Sequence, residues 1–240
     1  MALIRETKGK VAPSEVLIDV AGVTLEGTLA IPDDALGLVL FAHGSGSSRH
    51  SPRNRFVAEV LQSKRIATLL FDLLTRSEES VDQRTAELRF DIPFLAERLI
   101  GATRWVQKFP AAKDLNIGYF GASTGAGAAL VAAAELPESI SAVVSRGGRP
   151  DLAAAALRSV RAPTLLIVGG HDVPVIDMNR EALAALRCTE KKLMIIPGAT
   201  HLFEEPGTLE EVARAAADWF ARHFEPVRDS VSELASARTR

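Results

Sequence analysis

Between an apolar run, Leu115-Asn116-Ile117-Gly118-Tyr119-Phe120, and a helix-compatible stretch, Gly125 to Leu136, the chain reads Gly121-Ala122-Ser123-Thr124-Gly125. A serine with glycines two residues before and after it suits a strained strand-to-helix turn, because glycine permits a close backbone approach that a side chain would block. Strain there exposes the hydroxyl. The helix start behind it offers unpaired N–H groups to any negative charge that develops. The chemistry open to such a serine is nucleophilic attack. The plainer reading is a glycine-rich turn with an uninvolved serine; the placement between strand and helix favours the nucleophile.

A serine hydroxyl attacks poorly until a base takes its proton, and the base needs a third group to hold its ring and tautomer. Two further apolar runs supply candidates at their C-terminal ends. Thr164-Leu165-Leu166-Ile167-Val168 runs into Gly169-Gly170-His171-Asp172, and Leu193-Met194-Ile195-Ile196 runs into Pro197-Gly198-Ala199-Thr200-His201. Ser123, Asp172 and His201 therefore form a candidate triad in that chain order. Asp172 has a competing reading as a helix cap, and Asp151 is the alternative acid. His171, His50 and His223 are weaker candidates for the base than His201.

Attack on a carbonyl also needs donors aimed at the oxygen that becomes negative. One expected donor is the backbone N–H of Thr124. The other is the N–H of Ser45, in the loop His43-Gly44-Ser45-Gly46-Ser47-Ser48 that follows the run Leu38 to Ala42. That loop also reads as an ordinary flexible connection, but it matches neither glycine-rich phosphate-binding pattern. His43 is expected to be a buried scaffold residue.

For these residues to meet, their strand ends must share one edge. The solid apolar runs Leu38 to Ala42, Ile66 to Phe71, Leu115 to Phe120, Ile140 to Ser145, Thr164 to Val168 and Lys192 to Ile196 suit strands buried on both faces of a parallel sheet. Helix-compatible stretches lie between or after them: Asn54 to Ser63, Thr85 to Lys108, Gly125 to Leu136, Asp151 to Val160, Ile176 to Arg187 and Thr208 to Phe224. Ahead of them, Glu15 to Val20 and Val23 to Ile31 alternate apolar and polar residues around Ala21-Gly22, which predicts an antiparallel hairpin. The expected fold is α/β: a mostly parallel sheet with an N-terminal antiparallel hairpin and helices on both faces, in one domain over residues 13–225. A polar leader (1–12) and a polar tail (226–240) flank it.

Composition narrows the function class. At 240 residues, 47% hydrophobic and 24% charged, the chain can bury a full core. A net charge of −2 leaves no basic field for nucleic acid or an anionic membrane. The single cysteine, Cys188, excludes an internal disulfide, and no zinc spacing exists among one Cys and five His. A charged N-terminus without a signal-type apolar stretch, and no membrane-length run, predict a soluble cytoplasmic protein. The expected partner is a small molecule, with neither nucleic acid nor membrane, and the expected state is a monomer or homodimer.

His43-Gly44-Ser45-Gly46, Gly121-Ala122-Ser123-Thr124-Gly125, Gly169-Gly170-His171-Asp172 and Gly198-Ala199-Thr200-His201 together resemble the α/β-hydrolase superfamily, and within it the small cap-less group similar to dienelactone hydrolases. The likeness spans about Glu15 to Phe224. The stretch His43 to Arg55 is also similar to hydrolase-like domains found fused to phosphoribosyltransferases. Dienelactone hydrolases proper use a cysteine nucleophile, whereas this elbow carries Ser123. The resemblance implies ester hydrolysis through an acyl-serine, with no metal or organic cofactor. Acyl transfer on the same triad and a non-catalytic binding module are the alternatives. Only Arg146 to Ala162 separates two strands where relatives insert a cap, so an open pocket for small or short-acyl esters is expected. Arg49, Arg53, Arg76 and Arg146 lie near the same edge, with Arg146 the candidate contact for an anionic group and solvated surface arginines the competing reading.

Overall fold

The computed structural model describes residues 12–224. The leader and tail expected at 1–12 and 226–240 lie almost wholly outside that range. The alternating N-terminal segment forms β1 (Ser14–Val20) and β2 (Val23–Ala30), paired antiparallel with Val20 opposite Val23. The intervening Ala21 and Gly22 both have positive φ, which suits a two-residue turn between right-twisted strands.

The solid apolar runs become β3 (Gly37–Ala42), β4 (Ile66–Phe71), β5 (Asn116–Ala122), β6 (Ile140–Arg146), β7 (Thr164–Gly169) and β8 (Lys191–Ile196). Their order is β1-β2-β4-β3-β5-β6-β7-β8, with β3 to β8 parallel and β2 antiparallel to β4. Every residue of β3, β4 and β7 is buried, as expected for strands covered on both faces. β1 and β8 are the two edge strands, and only Ile196 of β8 is buried.

The helices are α1 (Pro52–Ser63), α2 (Arg76–Thr85), α3 (Ile92–Val106), α4 (Thr124–Glu135), α5 (Val173–Ala185) and α6 (Thr208–Phe224). One face of the sheet buries Val39, Phe41, Phe120 and Val144 against Val57 and Leu61 of α1 and Val212, Phe220 and Phe224 of α6. The other buries Leu38, Leu40, Tyr119 and Val143 against Leu95 and Leu99 of α3, Leu130 of α4 and Ala182 of α5.

Two expected helices differ. The stretch Thr85 to Lys108 is not continuous: Ala86 takes a left-handed conformation (φ 57°) that ends α2, a short 3-10 turn covers Leu88–Phe90, and α3 starts afresh at Asp91, whose side chain accepts from the N–H of Phe94 at 3.1 Å. Asp151 to Val160 is a 3-10 segment (Pro150–Ser159) interrupted by positive φ at Ala154. It is the only helical piece between β6 and β7, so no cap covers the sheet edge there.

The chain leaves β3 for β4 on one side and returns to β5 on the other. This switch opens a crevice at the C-terminal ends of β3 and β5, where open α/β sheets hold their ligands.

Candidate active site

Ser123 directly follows β5 and precedes α4, with φ 51° and ψ −121°. A non-glycine residue there is strained, at roughly 1–3 kcal/mol, and holds only because its surroundings fix it. They do so by contact: a Cβ on Gly125 would collide with the Ala42 carbonyl, and one on Gly44 would come within 3.0 Å of Ser123 Cβ. The Ser123 N–H donates to the Arg146 carbonyl at 3.2 Å, and its own carbonyl accepts from Arg149 at 3.0 Å.

Asp172 and His201 follow β7 and β8, 29 residues apart, and their side chains meet. His201 Nδ1 lies 2.6 Å from Asp172 Oδ2. A carboxylate only accepts, so Nδ1 carries the proton and Nε2 keeps its lone pair free. Asp172 stands at the N-cap of α5 yet makes no capping bond; its carboxylate holds the histidine instead. The alternative acid, Asp151, pairs bidentately with Arg149, at 2.9 and 2.7 Å.

Ser123 and His201 flank the same two residues. The Ser123 N–H bonds Arg146, and a Cβ on the neighbouring Gly147 would sit 3.5 Å from His201 Cε1. Ser123 Oγ has no hydrogen-bond partner among the described residues.

The competing histidines are otherwise placed. His43 accepts the Leu73 N–H at Nε2 (3.1 Å) and donates from Nδ1 to the Gly44 carbonyl (3.0 Å), and burial pushes its pKa below the ordinary value. It braces the loop after β3, in keeping with the scaffold role expected of it. His223 sits on α6 against Glu190 and the Trp219 carbonyl. His50 and His171 are exposed.

Of the two expected oxyanion donors, the Thr124 N–H begins α4 and has no intrahelical acceptor. The Ser45 N–H is engaged: it donates to Thr124 Oγ1 at 2.9 Å.

The arginines divide. Arg49 is held by Asp72 and Glu26 at 2.5 and 2.9 Å, Arg76 by Glu26 at 2.6 Å, and Arg53 by Glu204 at 3.2 Å. Arg146, 8% exposed, makes no side-chain hydrogen bond or ion pair among the described residues, and its Nη1 is buried without a partner. Burial and the nearby Arg53 charge pull its pKa down to about 10.

Sequence reasoning missed Asp72. Its carboxylate takes the Arg49 backbone N–H at 2.7 Å as well as the guanidinium, which ties down the loop after β3. The available signal was a carboxylate placed directly after Phe71, at the end of β4.

Four strand ends, those of β5 to β8, thus bring a strained serine, an aspartate-oriented histidine, a helix N-terminus and an unpaired arginine to one edge of a parallel sheet. That layout defines an α/β hydrolase. The chain belongs to the dienelactone hydrolase family, whose model matches residues 26–229.

A solved structure of a dienelactone hydrolase from Anabaena variabilis is 60% identical, with a TM-score of 0.89, and the match covers 90% of this chain and all of that one. A Mycobacterium tuberculosis protein provisionally named a phosphoribosyl transferase is 57% identical over 212 residues, which are 88% of this chain and 46% of that protein. The chain thus spans just under half the length of that relative. Est1E from Butyrivibrio proteoclasticus shares the fold at 17% identity, with a TM-score of 0.72 over 87% of this chain and 98% of its own. No helix among the described residues is long and apolar enough to cross a membrane.

Proposed function

We propose that the chain is a serine carboxylic-ester hydrolase acting on small or short-acyl esters through an acyl-serine intermediate. The observation that carries this reading is the 2.6 Å Asp172–His201 pair beside a serine held at positive φ. His201 Nε2 takes the Ser123 proton as Oγ attacks the ester carbonyl, and donors at the start of α4 hold the oxyanion. His201 then gives the proton to the leaving alcohol, and water repeats the sequence on the acyl-enzyme with the same base. Asp172 stays ionised and stabilises the imidazolium.

The absence of a cap between β6 and β7 supports a preference for small substrates. A fluorophosphonate probe and a series of p-nitrophenyl esters test both parts of the reading. Labelling of Ser123 and faster turnover of acetate and butyrate than of dodecanoate are expected. No label on folded protein would reject the hydrolase reading, and a clear preference for chains beyond about ten carbons would reject the short-acyl one.

Arg146 supports a substrate that carries an anionic group, because a buried guanidinium without a carboxylate is a standing cost that a ligand anion would offset. Arg146→Met should raise KM for a monoester of a dicarboxylic acid about 10-fold or more, in line with the roughly 1.5–3 kcal/mol of a charged hydrogen bond. Turnover of a neutral ester should be unchanged and Tm unchanged or higher. Equal KM effects on both esters would reject the assignment.

A further inference from the structure

The hydrogen bond from the Ser45 N–H to Thr124 Oγ1 joins residues 79 apart and draws the loop after β3 onto the first residue of α4. A hydroxyl that accepts through a lone pair keeps its own proton to donate. Thr124 Oγ1 donates to nothing among the described residues. The residue is 3% exposed and lines a small opening with His43, Gly44, Ser45, Leu73 and Asp82. Gly44 in turn packs against Ser123 Cβ. A free hydroxyl proton and a free helix N-terminal N–H thus both belong to the residue directly after the nucleophile.

We infer that Thr124 supplies two oxyanion donors, its N–H and its Oγ–H, and that the Ser45 N–H acts through the hydroxyl rather than on the substrate. This rests on the serine-hydrolase reading above. By accepting from Ser45, Oγ1 is fixed in rotamer and polarised, which strengthens its own donation. When Ser123 Oγ bonds the carbonyl carbon, the carbonyl π pair moves onto oxygen, and that oxyanion takes hydrogen bonds from both Thr124 groups. No proton leaves Thr124. When the tetrahedral species collapses, the carbonyl reforms, the alcohol departs with the proton from His201, and the hydroxyl returns to its resting bond.

The rival assignment, direct donation by Ser45, predicts the opposite outcome for one substitution, since Thr124→Val frees the Ser45 N–H. Steady-state kinetics with p-nitrophenyl acetate on wild type, Thr124→Val and Thr124→Ser separate the two. Thr124→Val is expected to lose about 10²-fold in kcat, the size of one lost oxyanion donor, with KM within about threefold. Thr124→Ser keeps the hydroxyl and should stay within about tenfold of wild type. Thr124→Ala makes the same prediction as Val without adding an atom, so a Val protein that fails to fold leaves the test standing. Wild-type kcat in the Val or Ala protein, or equal losses in the Ser and Val proteins, would overturn the inference. A wild type that neither turns over ester nor takes a fluorophosphonate at Ser123 would instead remove the hydrolase reading, and this inference with it.

Discussion

Ser123→Ala is expected to lower kcat for a short-chain ester about 10⁴-fold or more, down to the residual rate left by the oxyanion donors and binding alone. KM should change little, because the hydroxyl removed makes no bond to the protein among the described residues. Stability should change little for the same reason. Alanine meets the same positive-φ constraint at the elbow as serine, and the contacts that enforce it come from Gly44, Gly125 and their neighbours. A kcat within tenfold of wild type, measured on protein freed of contaminating esterase by a second purification, would show that the nucleophile lies elsewhere.

The second large effect concerns a residue that never touches substrate. Asp172→Asn preserves volume and position but replaces an acceptor-only group with one that carries an amide donor. Facing His201 Nδ1 at 2.6 Å, that amide favours the tautomer with the proton on Nε2, where the lone pair is needed. A kcat loss of about 10⁴-fold follows from the same change in a Ser-His-Asp protease. Activity should return partly at high pH, where hydroxide in solution replaces the missing base. A loss of less than tenfold would show that Asp172 does not orient the base in turnover and would return Asp151 to consideration, despite its pairing with Arg149.

The sheet was legible in the sequence because strands covered on both faces must be apolar throughout, and a run such as Ile66 to Phe71 has few other uses. The order of strand ends followed from the parallel topology, so the convergence of Asp172 and His201 could be anticipated from residues 29 apart. What escaped reading lacks an apolar signature. Only Asp82 of α2 is buried, so no hydrophobic stripe marks that helix. A capping box at Thr75 and Glu78 starts it, and that four-residue pattern was the one available sign. The break before α3 had a similar small sign in Asp91 and Pro93, a cap followed by a proline in the first turn. Arg146 could be singled out by its place at a strand end, but which arginines are paired was not legible. Whether a guanidinium is paired depends on partners such as Glu26 and Glu204, which only the folded chain brings near.

Arg49 shows what that pairing means for the molecule. Its guanidinium reaches Glu15 on β1, Glu26 on β2 and Asp72 after β4, while its backbone N–H is held by the same Asp72. The outermost hairpin contributes no candidate for the chemistry, yet it is wired in series with the loop after β3, whose Ser45 N–H is bonded to Thr124 at the start of α4. An edge strand is the part of a sheet that frays first, so fraying here slackens the loop after β3 while the central strands are still paired. The geometry around the elbow and the integrity of the fold thus have separate thresholds, with the first set at the periphery of the sheet.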